Sequence, residues 1–571
     1  MPTAGGTSAA GSPAAATSAA ASGPITRGVG AAVYDSIDPH RASGDPTLRL
    51  ANLVQSHLIW YKNPDTGEVE PDVAASYEAP DAKTYIFKLR QGVKWQNKPT
   101  TNGREFVADD VKWHIDRQAQ AKQKDGTAIS DMRRQTFYKT ITGIEVPDKY
   151  TIKLTLDNPS GTFIDRLAAF FSTIPNRETT EKYEADHRTL NEDAMVGTGP
   201  YIVTQWRPNK EVLLKRNPDY FRPGEPITDG AIWTQLFEDP NADRAAFQQK
   251  QLDGFAAADP TVTKAILEAN KGQMYEVLAG VPNTVYLALN MNKQFKDIRL
   301  MQAVNMAFDR RALIQAFHQG LGQVSGPVTW LQEGYAIKPD ELIKLNGYRT
   351  DRQAELKDAR ALWAAGGGPA LGDVAIKVPR TWSSQWPDTS QILVKMLNEN
   401  MGVSQFKSTS TDYNEEIIPN LANGNFPNWF GWTSTVSSAD PREGLRSTFL
   451  SSSNANYNHV NNPALDKMLL DVLQIPDLKQ AVAKTLDVQK ILTDNAQYGN
   501  VVLYNYITRV AVWNYIGQTF GDGNGGGPLK ALPSGGNPGT AYNLYAGHLT
   551  GKLTWINSKD PTYQGRPPAN V

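Results

Sequence analysis

Residues 425–440 read N-F-P-N-W-F-G-W-T-S-T-V-S-S-A-D and combine two tryptophans and a glycine with a run of small residues, most of them hydroxylated. Side chains on an extended strand alternate between its two faces, so Trp429 must point away from Phe430 and Trp432. The pattern predicts a strand with aromatic surface on both sides, as expected where a central sheet borders a ligand cleft. A buried core strand that contacts no ligand would show the same pattern.

Strands and helices alternate on both sides of this stretch. Hydrophobic periodicity and turn residues predict strands at 374–379, 406–410 and 501–506, and helices at 297–308, 310–319, 351–365, 389–400, 413–423, 463–473 and 478–494. Asp309, a typical N-cap residue, separates the first two helices. This alternation is the signature of a mostly parallel α/β domain.

The first half of the chain is predicted to contain more β-hairpins. Residues 84–90 alternate in polarity, residues 144–156 and 202–216 each place two apolar segments around a proline-containing turn, and residues 31–39 resemble a strand. Residues 48–60 carry apolar positions at helical spacing. From residue 517 onward the chain is rich in glycine and proline, which predicts a loop that packs back onto the first half.

Length and composition limit the classes to which the chain can belong. Its 571 residues allow several structural units, and 58 basic against 59 acidic side chains give no support for nucleic acid or an anionic membrane as partner. The absence of cysteine excludes disulfides, zinc–thiolate sites and cysteine nucleophiles. No apolar run is long enough for a transmembrane helix.

Residues 2–24 contain only alanine, serine, threonine, glycine and proline. A segment of this composition cannot bury enough surface to fold, so it is predicted to be a flexible spacer. It lacks the basic start and apolar core of a secretion signal. We expect a spacer that held a globular body away from a membrane after a signal was removed. A disordered leader or a cloning remnant is the alternative.

The motifs of common enzymes are missing. The sequence contains no H-E-x-x-H and no G-x-S-x-G on a strand-to-helix turn, and its seven histidines show no metal spacing. His114 is predicted to be a packed helix residue. Residues 521–526 match G-x-G-x-x-G, but Gly-Pro follows, so no helix N-terminus is available for a phosphate. We therefore predict no catalytic site, metal or cofactor, with a cell-envelope hydrolase or a surface binding module as alternatives.

Short motifs spread over most of the chain occur in a characteristic order. They are S-I-D-P-H (36–40), F-K-L-R-Q-G-V-K-W (87–95), F-V-A-D-D-V (106–111), G-T-G-P-Y (197–201), L-L-K-R-N-P-D-Y-F (213–221), L-N-M-N (289–292), R-L-M-Q-A-V-N-M-A-F-D-R-R-A-L-I (299–314), G-W (431–432) and N-Y-N-H-V-N-N-P-A-L-D-K-M-L (456–469). In order and spacing they resemble the family 5 extracellular solute-binding proteins, the peptide- and nickel-type receptors of ABC importers.

The resemblance implies an α/β, two-lobed periplasmic-binding-protein-like fold of the cluster C type, with an extra subdomain in the first lobe. After a disordered spacer at 1–24, residues 25–70, 197–285 and 513–571 would form the core of lobe I, residues 71–196 its second subdomain and residues 286–512 lobe II. Ligand would be enclosed by hinge closure. A monomer is expected, periplasmic or extracellular, with permease subunits as partners.

The resemblance also implies a ligand site around the Gly-Trp strand. Gly431 and Thr433 would offer backbone groups to a peptide ligand, which would pair like an added strand, and Trp432 would form a wall. Peptide-binding members hold the peptide amine with an acid three residues beyond the tryptophan, where this chain has Thr435. The nearest acid, Asp440, could take the amine instead.

Further ligand contacts are expected from other parts of the chain. A basic residue found in some oligopeptide binders is replaced by Trp429 and a helix tryptophan by Tyr413. The remaining expected contacts lie in an early loop, in a loop after the strand at 374 and in a late strand; they are Ser43, Gly44, Asp45, Trp382, Trp386, Tyr504 and Tyr506.

Two ligand classes remain open. The family favours a short peptide, and Asp45 or Asp440 could then hold its amine. The hydroxyl and aromatic residues at the clamp positions favour a neutral oligosaccharide, because a zwitterion buried without charge partners would lose several kcal/mol.

Overall fold

The computed structural model describes residues 26–564 apart from 31–33, 35, 43–44, 64–67, 190, 208–209, 227, 236–239, 258, 281–283, 333, 381–388, 422, 434–439, 454, 519–553, 557–558 and 560. Within these ranges, no helix combines the length and the apolar composition needed to cross a bilayer.

The described chain forms an α/β fold. Its strands are β1 Thr26–Gly30, β2 Ile59–Asn63, β3 Glu68–Pro71, β4 Ala74–Glu78, β5 Thr84–Leu89, β6 Ile141–Asp148, β7 Thr151–Leu156, β8 Tyr201–Arg207, β9 Glu211–Arg216, β10 Gly230–Gln235, β11 Gly254–Phe255, β12 Met274–Gly280, β13 Thr284–Ala288, β14 Gly322–Gln323, β15 Val374–Pro379, β16 Phe406–Thr411, β17 Trp429–Thr433, β18 Asn500–Trp513, β19 Ile516–Gln518 and β20 Thr554–Ile556.

The helices are α1 Asp45–Val54, α2 Ala108–Gln120, α3 Gln135–Tyr138, α4 Phe163–Ala168, α5 Arg177–Lys182, α6 Pro240–Gln248, α7 Pro260–Ala269, α8 Ile298–Ala307, α9 Arg310–His318, α10 Pro339–Leu342, α11 Arg352–Ala365, α12 Thr389–Met401, α13 Ile418–Leu421, α14 Arg442–Phe449, α15 Pro463–Leu473 and α16 Leu478–Asp494. A π-helical turn, Tyr413–Ile417, precedes α13.

Two four-stranded sheets form in the first half. The first is antiparallel, and the second is mixed because β1 runs parallel to β10. One has the order β4-β5-β7-β6 and confirms the hairpin predicted at 144–156; α2 packs on it around Phe87, Ile152 and Leu154. The other has the order β1-β10-β9-β8 and confirms the hairpin at 202–216. Each sheet has its own hydrophobic cluster, because each buries one apolar face against its own helices.

The large sheet of the second half has the strand order β11-β18-β13-β17-β15-β16, with β12 and β14 also paired to β18. Its pairings are mixed. The pairs of β15 with β16 and with β17 are parallel, whereas β13 runs antiparallel to both β17 and β18. The mostly parallel sheet that we predicted is therefore wrong in this part, because strand direction depends on partners distant in sequence.

Strand β18 connects two separate cores. Val501 and Leu503 belong to the core under the large sheet, whereas Ala511, Val512 and Trp513 belong to a second core with Phe247 and Phe255. The first part of β18 pairs with β13 and its second part with β12. The chain therefore passes between two packed bodies near residues 505–510.

Local capping explains the helix pair α8 and α9. The carboxylate of Asp297 accepts a hydrogen bond from the backbone N–H of Arg299 at 3.0 Å, and that of Asp309 accepts one from Ala312 at 3.0 Å. Gln319 and Gly320, both at positive φ, follow α9. The predicted break at Asp309 is confirmed, because an aspartate N-cap starts a helix.

The predictions for residues 31–60 were only partly right, because the helix is confirmed at 48–54 but not beyond it. The described residues of 31–39 form bends and turns, and the predicted helix at 48–60 is instead α1, which ends at Val54, followed by β2. The carbonyl of Val54 accepts the backbone N–H of Gly199 at 2.9 Å and the side-chain amide of Gln96 at 2.9 Å. These distant groups take the place of the next helical turn, so local periodicity could not predict the end of α1.

At the C-terminus, β19 pairs with β20 in an antiparallel ribbon. The loop predicted from residue 517 onward therefore contains regular structure at 554–556, while residues 519–553 lie outside the described part of the chain.

Candidate functional site

Trp429 is the centre of an aromatic cluster on one face of the large sheet. Its ring lies 5.3 Å from that of Tyr286 at 77° and 5.4 Å from that of Tyr413 at 52°, and only 3% of the residue is exposed. Phe430 packs into the core on the other face. The predicted strand with aromatic surface on both sides is confirmed for these two residues.

Gly431 is required by the position of the Trp429 ring. The two residues lie on the same face of β17, and a Cβ atom at position 431 would come within 2.0 Å of Cζ3 of Trp429. Real carbon atoms in contact are about 3.5–4.0 Å apart. The tryptophan ring therefore lies over the glycine, which explains the spacing W-F-G at 429–431.

Strand β17 has an edge that no described strand covers beyond Trp429. On one side, β13 pairs with all five of its residues, from Trp429 to Thr433. On the other, β15 pairs with it only at Lys377 opposite Trp429. Within the described part of the chain, no strand is therefore paired with the last residues of β17 on this side.

The even-numbered residues Phe430 and Trp432 direct their backbone groups toward this edge, and Trp432 lies farther from the pairing with β15. The N–H of Lys377 donates to the carbonyl of Asn428 at 2.8 Å, so even-numbered residues of β17 direct their backbone groups toward β15. Gly431 and Thr433 consequently direct theirs toward β13. Our prediction that Gly431 and Thr433 offer these groups was wrong by one residue, because the register of β15 decides it.

Asp440 already has a cationic partner. Its carboxylate forms an ion pair with Arg442 at 2.6 Å and accepts a hydrogen bond from the hydroxyl of Tyr335 at 2.7 Å. Burial, followed by the charge of Asp440, raises the pKa of Tyr335, which therefore stays protonated as a donor. The expectation that Asp440 takes a ligand amine is not supported, because Arg442 neutralises this carboxylate.

The same region connects α4 and the residues before it with the helices after the large sheet. The backbone N–H of Asp440 lies 3.3 Å from Oδ2 of Asp165, and Tyr61 donates to Oδ1 of Asp165 at 2.6 Å. The N–H of Gly161 donates to the carbonyl of Leu473 at 2.8 Å. Two bodies that are far apart in sequence meet here through polar contacts.

Tyr504 and Tyr506 face α9. His318 stacks on Tyr506 with ring centroids 4.4 Å apart and an interplanar angle of 5°, and Tyr504 lies edge-on to His318 at 5.3 Å. Tyr504 is only 2% exposed and belongs to the core. A bulge between Val285 and Tyr286 shifts the register of β18, so these tyrosines turn toward the helix and not, as we predicted, toward a cleft.

The other predicted contacts lie partly outside the described residues. Ser43, Gly44, Trp382, Trp386 and Thr435 belong to the undescribed segments. Asp45 is the first residue of α1, and Trp432 and Thr433 end β17. Tyr413, in the π-helical turn, is the predicted residue that the structure brings directly to Trp429.

Tyr286 and Lys377 are parts of this site that the sequence reasoning missed. Burial, followed by the phenols of Tyr413 and Tyr457, raises the pKa of Tyr286 well above its usual value, so it stays neutral. The apolar run T-V-Y-L-A at 284–288 was a signal for a central strand. The role of Lys377 depends on strand register, for which the sequence carries no local signal.

His114 is packed in the interior, as predicted. Its Nδ1 lies 2.9 Å from Nε2 of His40, and its Nε2 lies 3.0 Å from the hydroxyl of Tyr138. Arg117 contacts Nδ1 of His40 at 2.8 Å, and burial lowers the pKa of His114 to about 3. Across the described ranges, no group of three or more histidines, aspartates or glutamates is placed to hold a metal ion.

Comparison with known proteins adds a family match. The family model "Bacterial extracellular solute-binding proteins, family 5 Middle" matches residues 68–457. Di/tripeptide-binding protein 1 of Pseudomonas aeruginosa (strain UCBPP-PA14) is 30% identical over 325 residues, or 54% of this chain and 57% of that protein. The glutathione-binding protein GsiB of Escherichia coli (strain K12) is 28% identical over 329 residues, or 55% and 60%. The chain thus aligns with less than two thirds of the length of these curated relatives.

Solved structures share the fold. AgaA of A. tumefaciens R10, in complex with agropinic acid, superposes with a TM-score of 0.73 at 20% identity over 93% of this chain and 98% of that chain. DppA of Helicobacter pylori, in complex with the peptide STSA, gives a TM-score of 0.72 at 20% identity over 93% and 97%. The fold is therefore the α/β fold of periplasmic binding proteins, as expected.

Proposed function

Because the chain belongs to the bacterial extracellular solute-binding proteins of family 5, we propose that it captures a short peptide or peptide-like solute and delivers it to the membrane subunits of an ABC importer. The family is one of binding proteins. The open edge of β17 carries the proposal, since an extended peptide can add to such an edge as one more strand.

The proposed contacts centre on β17. The N–H and carbonyl of Trp432 would bond to the ligand backbone at the open edge. The rings of Trp429 and Tyr413 pack against one face of the sheet and support the strand there. Main-chain hydrogen bonds do not depend on side-chain identity, which suits a receptor for varied short peptides. The residues Ser43, Gly44, Asp45, Trp382, Trp386 and Thr435 stay in the proposed site, whereas Tyr504, Tyr506, Asp440 and the backbone groups of Gly431 and Thr433 do not.

We also propose the two-lobed division, with a spacer at 1–24, lobe I from 25–70, 197–285 and 513–571, its subdomain at 71–196, and lobe II at 286–512. The passage of β18 between two cores supports a hinge in this strand. It also moves the proposed end of lobe II from residue 512 toward residues 505–510. The contacts of Asp165 with Asp440 and of Gly161 with Leu473 would then form where the lobes close.

Binding without chemical conversion is part of the proposal, as are a periplasmic or extracellular location, tethering through the spacer and a monomeric state. An oligosaccharide remains the second ligand class. It depends on the aromatic and hydroxyl residues at the clamp positions. Trp429 and Tyr413 are described, but Thr435, Trp382 and Trp386 lie outside the described residues, so the ligand itself must decide between the classes.

Native mass spectrometry of gently purified protein tests the proposal. We expect adducts whose masses match short peptides, and their release on unfolding. Adducts spaced by sugar units would replace the peptide by an oligosaccharide. Conversion of the released compounds by the protein would contradict a pure binding function, as would the failure of defined di- and tripeptides and oligosaccharides to bind the ligand-free protein.

A further inference from the structure

A cavity lies away from β17, between α9, α10, β14 and the start of α11. Its volume is about 330 Å³, and its lining includes Ile314, Val324, Leu342 and Tyr348 on the apolar side. This volume is at the lower end of the range of small-molecule pockets. None of the residues proposed to bind peptide lines it, so it is independent of the proposed function.

The polar side of this cavity is rich in arginine. Arg310, Arg311, Arg349 and Arg352 all line it, against the single acid Asp309. The carboxylate of Asp309 is used as the N-cap of α9, where it accepts the N–H of Ala312. The cavity wall thus presents more positive than negative charge to a molecule inside it.

Three of the four guanidinium groups are already bound by the protein. Arg349 donates to Asp358 at 2.8 Å, and Arg352 is paired with the buried carboxylate of Glu355. Arg310 is buried and donates to backbone carbonyls, including that of Val502 at 2.7 Å. These three side chains form a rigid cationic wall.

Arg311 differs from the other three. It is exposed on the first turn of α9 and, in the part of the chain that the structure describes, it makes no salt bridge. The charged residues that line the cavity are the four arginines and Asp309, and the ion-pair partners of Arg352 and Arg349 are Glu355 and Asp358. Together these four positive and three negative charges leave one positive charge in excess. A ligand with one negative charge would balance it, and an apolar body would cover the hydrophobic side.

We propose that this cavity binds a small monocarboxylate with an apolar body, whose carboxylate pairs with Arg311 and whose body lies against Ile314, Val324 and Leu342. A carboxylate is favoured over a larger polyanion because the excess charge is a single one and the cavity is small. A planar guanidinium can bind both oxygens of a carboxylate, which makes the contact specific as well as strong.

The probe is 4-fluorobenzoate, observed by fluorine NMR on the full chain, with 4-fluorobenzamide as its neutral counterpart and inorganic phosphate as an anion without an apolar body. We expect 4-fluorobenzoate to bind and the other two to bind at least tenfold more weakly. Equal binding of the benzamide would refute the charge argument, and equal binding of phosphate would refute the apolar half of the site.

Three variants locate the binding. Arg311→Gln should weaken 4-fluorobenzoate at least tenfold, whereas Lys357→Gln, which removes an exposed cation of α11 outside the cavity, should not. Ile343→Trp, at a partly exposed lining position, should fill the cavity and abolish binding. Unchanged affinity in both cavity variants, or no binding by the wild-type chain, would overturn the proposal. Circular dichroism checks that each variant is folded.

Discussion

Substitution of Gly431 by alanine should destabilise the chain through a single steric conflict. The new methyl carbon would lie 2.0 Å from Cζ3 and 2.7 Å from Cε3 of Trp429. To restore ordinary contact near 3.5 Å, the ring would have to shift by about 1.5 Å. Trp429 is only 3% exposed and lies against Tyr286 and Tyr413, so it has little room to move.

The expected cost follows from two opposing effects. Overpacking a well-packed site costs about 1–3 kcal/mol. Replacing glycine by alanine also restricts the unfolded chain, which stabilises by roughly 0.4–1 kcal/mol where the conformation is compatible. The steric effect is larger, so we expect a net loss of about 1–2 kcal/mol together with weaker ligand binding, since Gly431 precedes Trp432 in the open-edged strand.

Urea unfolding followed by near-UV circular dichroism measures the loss. The control is Gly254→Ala, also in a strand, where the nearest atom would lie at an ordinary 3.7 Å. In a Trp429→Ala background the cost of Gly431→Ala should disappear, because the conflicting ring is gone. If Gly431→Ala costs nothing, or costs the same in both backgrounds, the packing argument for the W-F-G spacing is refuted.

Further predictions concern pH, charge and binding. Burial lowers the pKa of His114 to about 3, so below pH 6.5 the unfolded chain binds a proton that the folded chain does not. Stability should therefore fall with acidification, with about 2 kcal/mol of the loss at pH 5 due to His114, and His114→Gln should reduce this slope in urea titrations although the buried His40 keeps part of it. Asp440→Asn should cost about 3 kcal/mol in unfolding measurements, because it leaves the buried guanidinium of Arg442 without its carboxylate, yet keep ligand affinity by calorimetry within twofold; a large affinity loss would return Asp440 to the site. Trp432→Ala keeps the backbone groups but removes the indole that is predicted to form a wall of the site, so it should weaken ligand binding by about 2 kcal/mol or more in calorimetry; wild-type affinity would remove the indole, though not the backbone, from the site. Ligand should reduce the radius of gyration in small-angle scattering, and an unchanged radius at saturation would count against closure.

Much of the site could be recognised from local pattern. The alternation around Trp429 and Phe430 predicted a two-faced strand, and Asp309 marked the break between α8 and α9, because strand alternation and helix capping act over a few residues. The family could likewise be inferred from the order of short motifs. These features depend on neighbours in sequence, so the sequence alone determined them.

Register, strand direction and ion pairing could not be determined that way. The bulge in β18 turned Tyr504 and Tyr506 toward His318, and the pairing of Lys377 with Trp429 assigned the open edge to Trp432 and not to Gly431. A shift of one residue reverses the direction of every backbone group and side chain on a strand. Such a shift is decided by partners hundreds of residues away, so only the tertiary structure could decide which residues reach the site.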